Sequence, residues 1–568
     1  MSLLDWSVLI FTILFIVGYG LWKGRGIHHI KGFLLADRKM PWYHVGLSVM
    51  ATQASAITFL SAPAQGYTDG LRFVQFYFGL PLAMILICIT FIPIYQRLQV
   101  YTAYEYLEKR FDMKTRVFTA FLFLLQRGLS TGITIYAPAL VLSTILHVDI
   151  TFTTFFMGGL VILYTIYGGA KAVSHTQLLQ MSVIFAGLFV AGYMVVHLLP
   201  AGIGFSDALH VAGKMGKLNA IDTEFNLSNR YNIWSGIIGG FFLQLSYFGT
   251  DQSQVGRYLT GSSVSQSRLG LLMNGLLKIP MQFFILLTGT LVFAFYQFYQ
   301  PPVFFNQVEV SKVEAGTYSL EFDSINTAWN DANRIKATQV SELVAAIETD
   351  NEISIEEKRK SLMASQAQVL EIRKSAVEVI RKNDPGAELN DSNYIFLHFV
   401  MHHLPRGLIG LLIAIIFLAA MGSTASGLNS LASSCVVDFY KRFLNRDGTA
   451  KDYLLASRLI TAGWGVFCII VALYASRLGN LIEAVNILGS LFYGTILGIF
   501  LTAFFLKQVK GQAVFIAALI TEALVIAAWW NETTAFLWLN VIGSLTVMVV
   551  SFILQQTFFK NHGEPGRN

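Results

Sequence analysis

The stretch ATQASAITFLSAPAQG, residues 51–66, decides how the chain is read. It follows Trp42-Tyr43 and precedes a long apolar run that starts near Phe73. It is long enough to be part of a membrane span, yet Thr52, Gln53, Ser55, Thr58 and Ser61 crowd its middle, and Pro63 and Gly66 follow. An unpaired backbone group in hydrocarbon costs several kcal/mol, so a broken helix is tolerated only against protein or a water-filled cavity. There its freed carbonyls can coordinate a cation. The competing reading is a close, polar helix–helix interface, and this stretch alone does not separate the two.

Composition supplies the setting. The chain has 568 residues, 54% hydrophobic, 14% aromatic and only 13% charged, with a mean hydropathy of +0.56. Soluble domains carry about 25% charged residues. Repeated apolar runs of roughly 20 residues argue for one all-α polytopic membrane domain. The net charge of +6 then reports topology, and no nucleic-acid partner is expected. Cys88, Cys435 and Cys468 lie in apolar segments or at their edges and read as small core residues, not as a disulfide framework.

The runs predict about thirteen transmembrane helices, near 4–22, 42–66, 71–96, 116–146, 151–168, 176–199, 233–256, 265–298, 406–436, 453–476, 480–506, 512–530 and 534–558. The first run lacks a basic start and a cleavage site and reads as a retained helix. Lys23, Arg25, Lys31, Arg38 and Lys39 follow it; Arg97, Lys109, Arg110, Lys114 and Arg116 follow the third; Lys441, Arg442, Arg446, Lys451, Lys507, Lys510, Lys560 and Arg567 fall on the same side. Loop 147–150 has no Lys or Arg. The positive-inside rule then puts the N-terminus outside and the C-terminus inside. Residues 305–395 are polar and charged, with helical spacing, and predict a helical hairpin outside the membrane, as a solvated decoration or as a lid or docking element. TAYEYLEKRF (102–111) reads as a short amphipathic cytoplasmic helix.

A second small, hydroxyl-rich patch, AAMGSTASGLNS (419–430), lies inside a span. Hydroxyl oxygens suit a hard cation, so carbonyls of one helix and a hydroxyl of another could form an oxygen cage. Charges inside spans are costly and usually functional. Lys278 and Arg127 lie well inside their helices, and the depth of Lys278 predicts a structural or pathway-facing ion pair. Asp251 and Arg257 flank DQSQVGR, and Glu483 stands near a helix start. Arg257 and Glu483 read as side chains snorkelling to an interface. There is no dinucleotide or ATP-binding loop, no HExxH and no CxxC pair. Adjacent His28-His29 and His402-His403 point about 100° apart on a helix and make poor joint ligands. An enzyme and an ATP-driven pump are both disfavoured.

The chain resembles the sodium/solute symporter family over nearly all its length. The resemblance is carried by ADRKMPWYHVGLSVMATQASA (36–56), TAYEYLEKRF (102–111), YAPALVLS (136–143), YTIYGGAKAV (164–173), FGTDQSQVGRYL (248–259) and STASGLNSLAS (423–433). YEYLEKRF, YAPAL and DQSQVGRYL look most like the branch of multivitamin, monocarboxylate and iodide transporters. The resemblance implies a LeuT-type core of two inverted five-helix repeats and alternating access around a central site. It divides the chain into a leading helix and cytoplasmic loop (1–41), a first repeat (42–200), an external loop and the start of the second repeat (201–304), the polar insertion (305–395), the rest of the second repeat (396–506), and two accessory helices with a short tail (507–568).

The resemblance also implies site residues. The sodium positions fall on the carbonyls of Ala51 and Ala54, on Ala419, and on two hydroxyl positions that are Gly422 and Ser423 here. Thr424 or a water would have to replace the missing hydroxyl. A second sodium in some members uses an aspartate in WTDxxQ; the stretch here reads SHTQLLQ (174–180), with Gln177 in that place. One sodium per cycle is expected. The solute positions fall on Gln53, Thr58, Tyr77, Gln244, Lys278 and Asn486, with Leu80 also among them and Tyr247 as the aromatic cover. The sugar-binding acid is Tyr77 here. A lysine kept without that carboxylate suits a small organic anion, ahead of a sugar or polyol. The expected function is Na⁺-coupled import of a small polar solute in the cell (cytoplasmic) membrane, with lipid around it and no obligate protein partner. A proton-coupled carrier is the nearest rival, but neither polar stretch supplies a titratable group. A sensor built on the fold would carry a signalling domain after the last helix, and only a short tail (559–568) follows.

Overall fold

The computed structural model describes residues 1–24 and 30–559; Arg25, His28-His29, Lys560 and Arg567 lie outside them. The described residues are helical throughout, with one isolated bridge between Met40 and Gly261. Among the described residues ten helical runs are long and apolar enough to cross a membrane, against the expectation of about thirteen. Two of the three differences lie where polar residues break a helix, and the third is the shorter apolar run Ile150–Ile166. The run near 42–66 splits into Trp42–Gln53 and Ala56–Asp69. The run near 233–256 splits into a π turn Ser235–Gly239, a helix Gly240–Gly249 and a helix Gln252–Tyr258. That second break was not anticipated.

The runs expected at 151–168 and 176–199 form one helical stretch, Ile150–His197. It is not straight. The Tyr164 and Thr176 hydroxyls stand 2.7 Å apart, whereas twelve residues of straight helix would span about 18 Å. Outward-facing side chains are apolar, among them Phe11, Phe15, Phe152, Phe156, Phe189 and Leu276, as a lipid-facing surface requires.

The broken helices sit inside this shell. Val264–Phe298 packs along both halves of the first, and Leu408–Ser434 touches both of those halves and also Gln252–Tyr258. The segment 319–383 folds as two helices, Ser319–Glu348 and Glu352–Asn383, packed on each other. Phe322, Trp329, Val369 and Ile380 give the hairpin its own core. Val340, Leu343 and Leu362 seat it on Val211, Met215 and Phe293 of the bundle. The basic loops gather at the opposite end, where Arg116 pairs with buried Asp438 and with Glu108, and Glu108 also takes Arg442.

Candidate functional site

The first break is built by its hydrogen bonds. Ala54 (ψ 81°) and Ser55 (ψ 175°) leave helical geometry. The Ser55 N–H turns back to the Gln53 carbonyl at 3.0 Å and so misses Ala51. The Thr58 N–H goes to the Ser55 carbonyl at 2.9 Å and so misses Ala54. No described hydrogen bond reaches the carbonyl of Ala51 or Ala54. These are the two carbonyls the resemblance marks for sodium. They lie at the negative, C-terminal end of Trp42–Gln53, which favours a cation; the start of Ala56–Asp69 across the break favours an anion.

The other sodium positions lie on the facing helix. The Ser423 hydroxyl lines the central cavity and donates to the Ala419 carbonyl at 2.8 Å. The Gly422 carbonyl accepts from Gln177 Nε2 at 3.2 Å. A Cβ on Gly422 would meet Gln180 Oε1 at 2.5 Å, so the place of the missing hydroxyl is filled by an amide oxygen. That oxygen is buried and unbonded, as is Thr424 Oγ1. Gln177 is fully engaged: its amide also accepts from Ser48 at 2.5 Å and donates to Ser426 at 2.9 Å.

The central cavity encloses about 100 Å³. Gln53, Thr58, Tyr77, Gln244, Tyr247, Lys278 and Asn486 all line it; Leu80 does not. The structure thus gathers residues from both broken helices, from Val264–Phe298 and from Leu481–Phe505 on one space. Several of their polar atoms lack partners: Gln53 Oε1 and both amide atoms of Gln244 are buried and unbonded. Lys278 is 1% exposed. The expected ion pair is not there. No carboxylate approaches its ammonium among the described residues; its one described contact is the Tyr77 ring, 5.9 Å away. A buried cation without a partner is costly, and here it faces the cavity.

The second break carries charge. The Asp251 carboxylate caps Gln252–Tyr258 through the Ser253 N–H (2.8 Å) and hydroxyl (2.6 Å). Arg127 donates to the same carboxylate and to the Tyr493 hydroxyl at 2.9 Å, and Tyr493 donates to Asp251 at 2.8 Å. The guanidinium lies 5.4 Å from the Tyr247 ring. Sequence reading singled out Arg127 and Asp251 separately and missed both their pairing and Tyr493. An aspartate directly after Gly249-Thr250 was the available signal, since Asp is a favoured helix N-cap. One snorkelling expectation needs correction. Arg257 is 2% exposed, with Nε and Nη1 unbonded, because its half-helix is buried among neighbouring helices. Glu483 is held by Arg230.

Residues 33–311 and 375–521 match the model described as the sodium:solute symporter family. The sodium/iodide cotransporter of Homo sapiens is 33% identical over 48% of this chain and 42% of its own length. The sodium-dependent multivitamin transporter of Oryctolagus cuniculus is 26% identical over 93% of this chain and 70% of its own. The match thus spans less than half of the iodide protein. A substrate-bound, outward-open structure of a Na⁺-coupled sialic acid symporter superposes with a TM-score of 0.76 at 21% identity, covering 98% of each chain; at that identity the likeness concerns the fold.

Proposed function

Because the chain belongs to the sodium:solute symporter family and is a multi-pass membrane protein, we propose that it is a secondary transporter that imports a small organic anion together with Na⁺. The observation that carries this is Lys278, a buried ammonium facing a cavity lined with unbonded amides and lacking any carboxylate of its own. The solute's carboxylate is its natural counter-ion. The start of the Ala56–Asp69 half-helix adds a favourable dipole. A volume of about 100 Å³ is several times the roughly 10–15 Å³ that one enclosed water needs, which suits a small solute. The sialic acid, monocarboxylate and iodide specificities named for relatives share negative charge.

Sodium is assigned to the free carbonyls of Ala51 and Ala54, the Ala419 carbonyl and Ser423, with Gly422 contributing only backbone. One ion per cycle is favoured because the Gln177 amide, already bonded on both sides, stands where the second ion's carboxylate would be. The LeuT-type division into inverted repeats at 42–200 and 201–304 with 396–506 is supported by a break in the leading helix of each. In this reading the N-terminus is outside and the hairpin faces the exterior. The membrane potential then drives Na⁺ inward with about 2.3 kcal/mol per charge per 100 mV.

The test is thermal stability of the purified protein across carboxylates and matched neutral polyols, in Na⁺ and in K⁺. Ligands of the native state raise apparent stability by mass action. Stabilisation by a carboxylate in Na⁺ alone is expected. Stabilisation by polyols and not carboxylates would move the assignment to a sugar or polyol carrier, and indifference to the cation would remove the sodium coupling.

A further inference from the structure

A second cavity of about 480 Å³ opens at the hairpin end, beyond the outer end of Ala56–Asp69. Its walls carry three cations, Arg72, Lys217 and Arg230, and one carboxylate, Asp69. Arg230 is neutralised by Glu483, while Asp69 accepts from the neutral Gln65 amide at 2.5 Å and keeps its charge, so Arg72 and Lys217 outweigh it by one positive charge. Lys217 donates only to the Thr68 carbonyl and lies 4.7 Å from the Phe293 ring. The Arg72 guanidinium makes no hydrogen bond or ion pair among the described residues, and it is exposed.

The walls are held in place by backbone. Gly70 has φ +70°, and a Cβ there would lie 2.1 Å from the Lys217 carbonyl; the Leu71 N–H donates to that carbonyl at 2.9 Å. Gln75 fastens the opposite wall. Its amide donates to the Tyr231 carbonyl at 3.0 Å and accepts from the Asp222 N–H at 3.0 Å.

Aromatic rings separate this cavity from the central one. Tyr231 lines the outer cavity, while Phe76 and Tyr77 line the inner. Phe73 stands between them, with ring centroids 5.2 Å from Tyr231, 5.3 Å from Phe76 and 6.0 Å from Tyr77. The basic cavity therefore lies one layer of rings from the cavity of Lys278.

We propose that the outer cavity is a binding site for a small monovalent anion, which holds the solute's carboxylate between Arg72 and Lys217 before it passes the ring layer to Lys278. This rests on the organic-anion reading of the central site. A cleft whose walls carry more cations than carboxylates raises the local concentration of anions. Because this one is open to solvent, its attraction is screened at high ionic strength.

Bromide is the probe, located by anomalous diffraction in crystals of the full chain soaked at low ionic strength. The expected result is one peak within hydrogen-bond reach of Arg72 and Lys217 and another beside Lys278. In Arg72→Gln/Lys217→Gln the outer peak vanishes and the inner stays; in Lys278→Met the reverse holds. A peak beside Lys278 alone overturns the outer site and leaves the central reading standing. A peak at the outer site alone keeps the site and removes the central reading. An outer peak that persists in the double variant marks an adventitious ion only and overturns the proposal, as does the absence of both peaks.

Discussion

At the break after Gln53 the helix ends are left open, whereas at the break after Gly249 the chain closes them with its own side chains. In the first, the Ala51 and Ala54 carbonyls receive no described hydrogen bond, and no charged residue sits at the gap. In the second, Asp251 occupies the N-terminal end of the following half-helix, and Arg127 neutralises it. The first gap opens on the central cavity through Thr52, Gln53 and Ser55, whereas the second meets it through its partners Arg127 and Tyr493. The first leaves two helix carbonyls free; the other already holds an internal ion pair. The open gap has helix ends available to ligands, as the proposed function requires, and the closed gap has its charge cancelled within the protein.

This contrast can be broken experimentally. The largest effect is expected at the closed gap. Arg127→Met leaves Asp251 buried without its partner, which costs about 3–5 kcal/mol, and denaturant unfolding in detergent measures it. Adding Asp251→Asn should recover much of that loss; a double variant as unstable as the single one would show that the pair is not the source. Next comes Lys278→Met, which is expected to keep the fold and removes the proposed counter-ion. Truncating one member of a buried charge pair costs about 2–5 kcal/mol, so solute affinity should fall roughly thirty-fold or more while the thermal shift given by Na⁺ alone is retained. At the open gap, Ser423→Ala deletes one of the oxygens to which the proposed sodium site is assigned. A hydrogen bond or ligand contact to a charged group is worth about 1.5–3 kcal/mol, so half-saturating Na⁺ should rise roughly ten-fold or more; an unchanged sodium dependence would remove Ser423 from the site.

The smallest effect concerns the strap between hairpin and bundle. Glu388 accepts from the Tyr394 hydroxyl at 2.8 Å and from Tyr136 at 3.1 Å. Burial pushes its carboxyl from an ordinary value of 4.5 up to about 7, with Glu309 and Asp391 adding repulsion and the two tyrosines opposing the rise. A raised pKa means that the folded strap holds the proton more tightly than the unfolded chain does. Its contribution is full below about pH 4.5 and is lost as pH rises to about 7. Hydrogen exchange in 384–394 should therefore quicken across that window beyond its intrinsic pH dependence. Glu388→Gln should abolish the excess.

Much of this was legible in the sequence. The hydropathy pattern marks the membrane helices, because a span must be long and apolar whatever surrounds it. The polar, proline-containing run at 51–66 marks either a close helix interface or a break, and the second hydroxyl-rich patch at 419–430 favours the break. The resemblance placed seven solute positions that the fold brings to one cavity. Three things were decided only in three dimensions. The pairing of Arg127 with Asp251 joins residues 124 apart in the chain, and local pattern carries no information about such partners. The solitude of Lys278 is the absence of a carboxylate in space, which no spacing rule reports. The amide of Gln180 fills the place beside Gly422 because two helices cross there. Sequence by itself determined which segments enter the membrane and where one of them must break, since both follow from local hydration and backbone hydrogen bonding. Tertiary structure alone decided which charges are cancelled and which are left to meet a ligand, since Coulomb energy depends on distances between helices.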